Sequence, residues 1–113
     1  MDLSNDSPTI LIYASAPQAL WQEVLFGIEE EGIPWQWLAA GEDQDALEQM
    51  AWQAANRSPL LVGLACNSAE IVVHYRHLPV DAPLFRLGRQ QENADLRHLG
   101  NNAARLVKGL PFR

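Results

Sequence analysis

The run Leu60-Leu61-Val62-Gly63-Leu64-Ala65-Cys66 contains no polar side chain and does not alternate. A strand with one wet face would alternate, so this pattern belongs to a strand covered by helices on both faces, at the centre of a sheet with parallel neighbours. The residues that follow set a second constraint. Glu70-Ile71-Val72-Val73-His74-Tyr75 is also strand-like, and only Asn67-Ser68-Ala69 separates the two runs. A parallel crossover needs about a dozen residues or more, so the pair must close as an antiparallel hairpin, and the sheet must be mixed.

The remaining segments arrange themselves around this centre. Residues 1 to 8 are polar, end in Pro8 and read as a flexible tail, before a short buried strand over Thr9-Ile10-Leu11-Ile12-Tyr13. Pro17 suits a helix start; Leu20, Val24 and Ile28 then share one face, flanked by Ala16 and Trp21. Gly32 supplies a left-handed stop, and Pro34 blocks continuation. Ile33, Trp35 and Trp37 alternate with Pro34, Gln36 and Leu38, which predicts a second strand whose proline favours a sheet edge. Asp45 with Glu48 resembles a capping pair for a helix carrying Leu47, Met50, Ala51 and Ala54 as far as Ser58-Pro59. After a loop from Pro79 to Pro83 come a short strand, Leu84-Phe85-Arg86-Leu87, and a closing helix marked by Leu96, Leu99, Ala103, Leu106 and Val107 and stopped by Gly109 and Pro111. The order β-α-β-α-β-β-β-α predicts a three-layer α/β/α domain over residues 1–113, with helices on both faces of a mixed five-stranded sheet and right-handed crossovers.

Charge narrows the possible partners. Eight Lys and Arg against fourteen Asp and Glu give a net charge of −6, which argues against a nucleic-acid binder that neutralises phosphates. No apolar run approaches the roughly 18 to 20 residues of a membrane span, and the first residues lack a secretory signal, so a soluble chain that is not exported is expected. Cys66 is the only cysteine, which excludes an intrachain disulfide and points to a reducing, cytoplasmic setting.

The chemistry-bearing residues divide unevenly. Glu29, Glu30 and Glu31 stand together at the end of the first helix, where the helix dipole opposes negative charge, so a metal ion or a basic partner is a plausible compensator; the plain alternative is that they point into water. His74, His77 and His98 share no ligand spacing with a cysteine or carboxylate, which disfavours zinc. Cys66 has neither an elbow motif nor an evident base and reads as a buried structural thiol. Ala14-Ser15-Ala16-Pro17 lacks the glycines of a phosphate loop, which counts against nucleotide binding and a flavodoxin-like site. Trp35 and Trp37 on an edge strand are either partner anchors or a cover for the second helix. Asn101-Asn102 are poor helix formers, so they either begin the last helix after a kink or carry hydrogen bonds that offset their propensity.

Four blocks in order, Gly27-Ile28-Glu29-Glu30-Glu31-Gly32-Ile33-Pro34, Ser58-Pro59-Leu60-Leu61-Val62-Gly63-Leu64-Ala65-Cys66, the stretch from His74-Tyr75 to Pro83-Leu84-Phe85, and the run from Gly100-Asn101-Asn102 to Phe112-Arg113, resemble the small subunits of diol and glycerol dehydratase reactivating factors over nearly the whole chain. The resemblance implies a fold similar to the dehydratase medium subunit, with strand order 2-1-3-4-5 and the fourth strand antiparallel. It implies a chaperone-like, non-catalytic subunit that pairs with a large actin-like ATPase subunit, in an α2β2 heterotetramer, and exchanges with the medium subunit of an adenosylcobalamin-dependent dehydratase so that damaged cobalamin escapes. ATP and ADP would bind the partner, and this chain alone would bind no cofactor. The second carboxylate of the family's Gly-Ile/Leu-Glu-Glu-x-Gly motif falls on Glu30, which the resemblance makes a ligand of Mg²⁺ or Ca²⁺ shared with the large subunit. Glu29 and Glu31 would then be solvent-facing or secondary, and Glu29, Glu31, Trp35 and Trp37 would line the partner interface. A location in the cytoplasm, inside or outside a bacterial microcompartment, goes with that role. The competing reading is a structural or cofactor-contacting subunit of the dehydratase itself.

Overall fold

The computed structural model describes residues 8–40 and 46–113. Strands β1 (Ile10–Ala14), β2 (Trp35–Ala39), β3 (Val62–Cys66), β4 (Glu70–Tyr75) and β5 (Phe85–Gly88) form one sheet in the order β2-β1-β3-β4-β5. β1 pairs in parallel with both β2 and β3, while β4 runs antiparallel to β3 and β5. The last five residues of the unalternating run are the central strand, all buried, while Leu60 and Leu61 lie in the turn before it, and Asn67 closes the hairpin behind it. The Asn67 side chain accepts from the amides of Ala69 and Glu70, both at 2.8 Å, so the turn is held by its own asparagine.

Helices α1 (Gln22–Glu30) and α3 (Asn93–Lys108) pack together on one face, and α2 (Leu47–Arg57) lies on the other. Strand residues alternate between the faces. Ile10, Ile12, Val62, Leu64, Ile71 and Val73 join Val24, Leu25, Ile28, Leu96 and Leu99 in the larger core, whereas Ala65 and Val72 meet Leu47, Met50 and Ala51 in a smaller one.

Local differences from the sequence expectation have physical causes. Helix α1 does not begin at Pro17: Gln18–Trp21 form a 3-10 turn, and Trp21 leaves helical geometry at φ −117°. That break seats a wholly buried indole whose Nε1 donates to the Asn67 carbonyl at 2.9 Å. The proposed cap Asp45 lies outside the described residues. Ala46 occupies the N-cap position of α2, with no side-chain cap bond, and the Glu48 carboxylate accepts from its own first-turn amide and pairs with Arg86 at 3.0 Å. β2 begins at Trp35, just past Pro34, whose carbonyl accepts from the Ile10 amide at 3.0 Å, and it is an edge strand as its proline suggested.

Candidate docking site

The site is built by a close helix contact. Gly27 of α1 and Gly100 of α3 face each other, and a Cβ on either would overlap the opposite backbone, on the Arg97 carbonyl and the Val24 carbonyl respectively. With no side chain between the axes, α3 side chains on both flanks reach the C-terminal end of α1. Gly32 ends that helix in left-handed geometry at φ +79°.

The glutamates at this end meet three different surroundings. Glu29 is exposed and accepts from Trp35 Nε1 at 3.0 Å. Glu30 accepts from Arg97 Nη1 at 2.8 Å on Oε2 and from Asn101 Nδ2 at 3.1 Å on Oε1, with 47% of its side chain still exposed. Glu31 is only 9% exposed, ringed by Lys108 at 3.0 Å, Arg105 at 3.1 Å and Arg113 at 3.8 Å. Lys108 Nζ also donates to the Glu31 carbonyl at 2.8 Å, answering a helix-end oxygen. The hydrogen bond from Asn101, aided by Arg97, holds the Glu30 carboxyl below its ordinary range, and the bond from Lys108, aided by Arg105, does the same for Glu31.

The electrostatic puzzle read from the sequence is therefore answered within the chain, by cations of α3 and the residues after it. Glu31 is also not solvent-facing. The signal that would have revealed this lies far along the sequence: Arg97, Asn101, Arg105 and Lys108 follow at spacings of four, four and three, one helical stripe complementary to the acidic end. Asn101 and Asn102 are both buried within α3 and carry hydrogen bonds. Asn101 also donates to the Gly27 carbonyl at 2.8 Å, and Asn102 accepts from the Arg113 amide at 2.7 Å.

Trp35 and Trp37 are half-buried and pack against the core shared with α1 and α3, so they do not cover α2. His74 is buried: its Nδ1 accepts from the Tyr75 amide at 2.9 Å, and its Nε2 lies 3.1 Å from the Val80 carbonyl, tying down the loop before β5. His77 stacks edge-on with Tyr75, and His98 lines an open groove between β5 and α3. The Cys66 thiol is fully buried, and that burial pushes it up to about 12, so it is protonated at neutral pH and a poor nucleophile. The Ser15 amide, in the turn after β1, donates to the Cys66 carbonyl at 3.0 Å.

Among the described residues no group of three or more His, Cys, Asp and Glu could hold a metal ion. Each Glu30 carboxylate oxygen takes one donor from α3, which leaves lone pairs facing solvent.

The family model for the dehydratase medium subunit matches residues 7–113. The chain is 53% identical to the propanediol dehydratase-reactivating factor small subunit of Salmonella typhimurium, covering 100% of this chain and 97% of that protein. It is likewise 53% identical to the diol dehydratase-reactivating factor small subunit of Klebsiella michiganensis, covering 100% and 90%. A solved diol dehydratase-reactivating factor complexed with ADP and Mg²⁺ contains a chain that is 51% identical and superposes with a TM-score of 0.89 over 95% of this chain and 98% of its own. A solved glycerol dehydratase reactivase gives 34% identity and a TM-score of 0.86 over 94% and 96%. The chain belongs to the dehydratase medium subunit family and, within it, with the small subunits of diol and glycerol dehydratase reactivating factors.

Proposed function

We propose that this chain is the non-catalytic partner of a large ATPase subunit and works by imitation. It would join that subunit, meet an inactivated adenosylcobalamin-dependent diol or glycerol dehydratase, and change places with the dehydratase medium subunit so that damaged cobalamin leaves. The observation that carries this reading is that one fold bears two descriptions: the family is described by the dehydratase's own medium subunit, while relatives matching this chain end to end are reactivating-factor small subunits. Chains of one shape compete for one surface. For such an exchange to be reversible the two affinities must lie within roughly a few kcal/mol, so that nucleotide state on the large subunit can tip the balance.

The docking face in this reading is the C-terminal end of α1 with the adjoining β2 edge, through Glu29, Trp35 and Trp37; Glu31, taken up by Arg105, Lys108 and Arg113, supports that end from within. Glu30 supplies one ligand to Mg²⁺ or Ca²⁺, and acidic groups of the large subunit supply others. Support comes from the exposure of Glu30, the half-exposure of both tryptophans, and the ADP and Mg²⁺ of the solved relative. An α2β2 assembly in the cytoplasm, free or inside a microcompartment with its client, belongs to the same reading.

Mixing the purified chain with the large subunit and inactivated holoenzyme, then following complex composition and cobalamin release, tests the proposal. Release that requires both subunits, together with displacement of the medium subunit, is expected. Turnover supported by this chain inside a dehydratase complex would instead favour the competing reading, which the family's description keeps in view. Glu30→Gln is expected to weaken association with the large subunit in a metal-dependent way, and equal affinity with and without chelator would remove the shared-cation assignment.

A further inference from the structure

Arg97 holds two carboxylates of α1 with one guanidinium. Its Nη1 lies 2.8 Å from Glu30 Oε2, while Nη2 and Nε lie 2.8 and 3.2 Å from Glu23 Oε1. The guanidinium also sits over the Phe26 ring, 5.3 Å from its centroid. The two seats are unequal. Glu23 takes two of the N–H groups and is 27% exposed, whereas Glu30 takes one and is 47% exposed. If Nη1 lets go of Glu30, the guanidinium keeps Glu23 and Phe26 as partners, and Glu30 keeps the neutral Asn101 and is open to another cation.

A divalent cation at Glu30 competes with that arrangement. The Nη1 group already uses one Glu30 oxygen, and a positive charge so close repels a second one. Asn101 differs in kind: it is neutral, buried, and anchored on the Gly27 carbonyl, so it can keep its hold on Oε1 whichever cation occupies the outer side.

We infer that Arg97 is a displaceable internal counter-ion, covering Glu30 in the free chain and retiring onto Glu23 when a divalent cation takes its place. The Glu23–Arg97–Glu30 bridge thereby sets how much divalent cation docking requires. The inference rests on the reading of Glu30 as a ligand to a cation shared with the large subunit.

The test is the affinity of the full chain for the large subunit, measured while Mg²⁺ is titrated, for wild type and for Arg97→Gln, Glu23→Gln and Glu30→Gln. Arg97→Gln should lower the half-saturating Mg²⁺ concentration by about threefold to fivefold, the size that loss of an exposed ion pair allows. Glu23→Gln, which removes the second seat and concentrates Arg97 on Glu30, should raise it by a similar factor. Loosened helix packing would move both variants the same way, so the opposite signs separate this device from a structural role. If Arg97→Gln folds poorly, the Glu23→Gln shift decides alone. No shift, or shifts of one sign, with Mg²⁺ dependence still abolished by Glu30→Gln, overturns the counter-ion while leaving the Glu30 assignment standing. Unchanged Mg²⁺ dependence in Glu30→Gln overturns that assignment and the counter-ion with it.

Discussion

The two faces of the sheet are closed in different ways. On one, α1 and α3 meet backbone to backbone at Gly27 and Gly100, and five charged or amide side chains of α3 and the residues beyond it gather around the end of α1. On the other, α2 lies alone on the strands through Met50 and Ala51, and the described charge bridge at its margin is Arg86 between Glu48 and Glu70, at 3.0 and 2.6 Å. The difference shows that charge complementarity follows from backbone geometry. The close helix contact brings side chains about seventy residues apart into hydrogen-bond range, and the same helix end leaves the Glu29 and Glu30 carboxylates on the outside.

The comparison is most easily broken at the helix contact. Gly100→Ala places a methyl group on the Val24 carbonyl and forces the helices apart; overpacking outweighs the gain in helix propensity, for a net loss of about 2 kcal/mol or more in a denaturant titration. A loss below about 0.5 kcal/mol would mean that the helices slide freely and that the charged rim is not fixed by their approach.

Acid titration should then sharpen it. Glu30 and Glu31 are held below the ordinary glutamate value of 4.5, so the stability they contribute is fully present above that value and drains away as pH falls through their lowered ones. The unfolding midpoint should be flat above 4.5 with respect to these groups and fall below it. Glu31→Gln should blunt the acid fall more than Glu48→Gln, because Glu31 is ringed by three cations at 9% exposure whereas Glu48 is 32% exposed. Equal blunting would erase the distinction between the faces.

The smallest effect is expected at the far margin. Arg86→Ala removes a bridge whose members are each about a third exposed or more, so it should cost about 0.5 kcal/mol or less in a thermal melt. A loss above about 1 kcal/mol would show that the α2 face also depends on its charges.

Much of the fold was legible because its signals are local. The unbroken run from Leu60 to Cys66 marked the central strand, though not its start at Val62, the three-residue link after it forced the hairpin, and Pro34 marked the edge. The resemblance supplied the strand order. The surroundings of the acidic helix end were not legible, because a dipole penalty can be computed from α1 alone while its remedy sits on α3. The stripe of Arg97, Asn101, Arg105 and Lys108 was visible as spacing, but nothing in the spacing says which helix it faces; the Gly27–Gly100 contact decides that. Trp21 shows the same limit at a helix start, where a distant carbonyl on Asn67 drew the indole inward and broke the turn.

The hydrogen bond between the Trp35 indole and Glu29 also gives the protein a built-in optical probe. Trp21 is sealed from solvent, so its emission should stay blue-shifted and insensitive to events at the surface. The Trp35 ring, half-exposed and one residue removed from the Glu30 carboxylate through its own bond to Glu29, stands where a newly arrived charge or a covering polypeptide would alter its fluorescence.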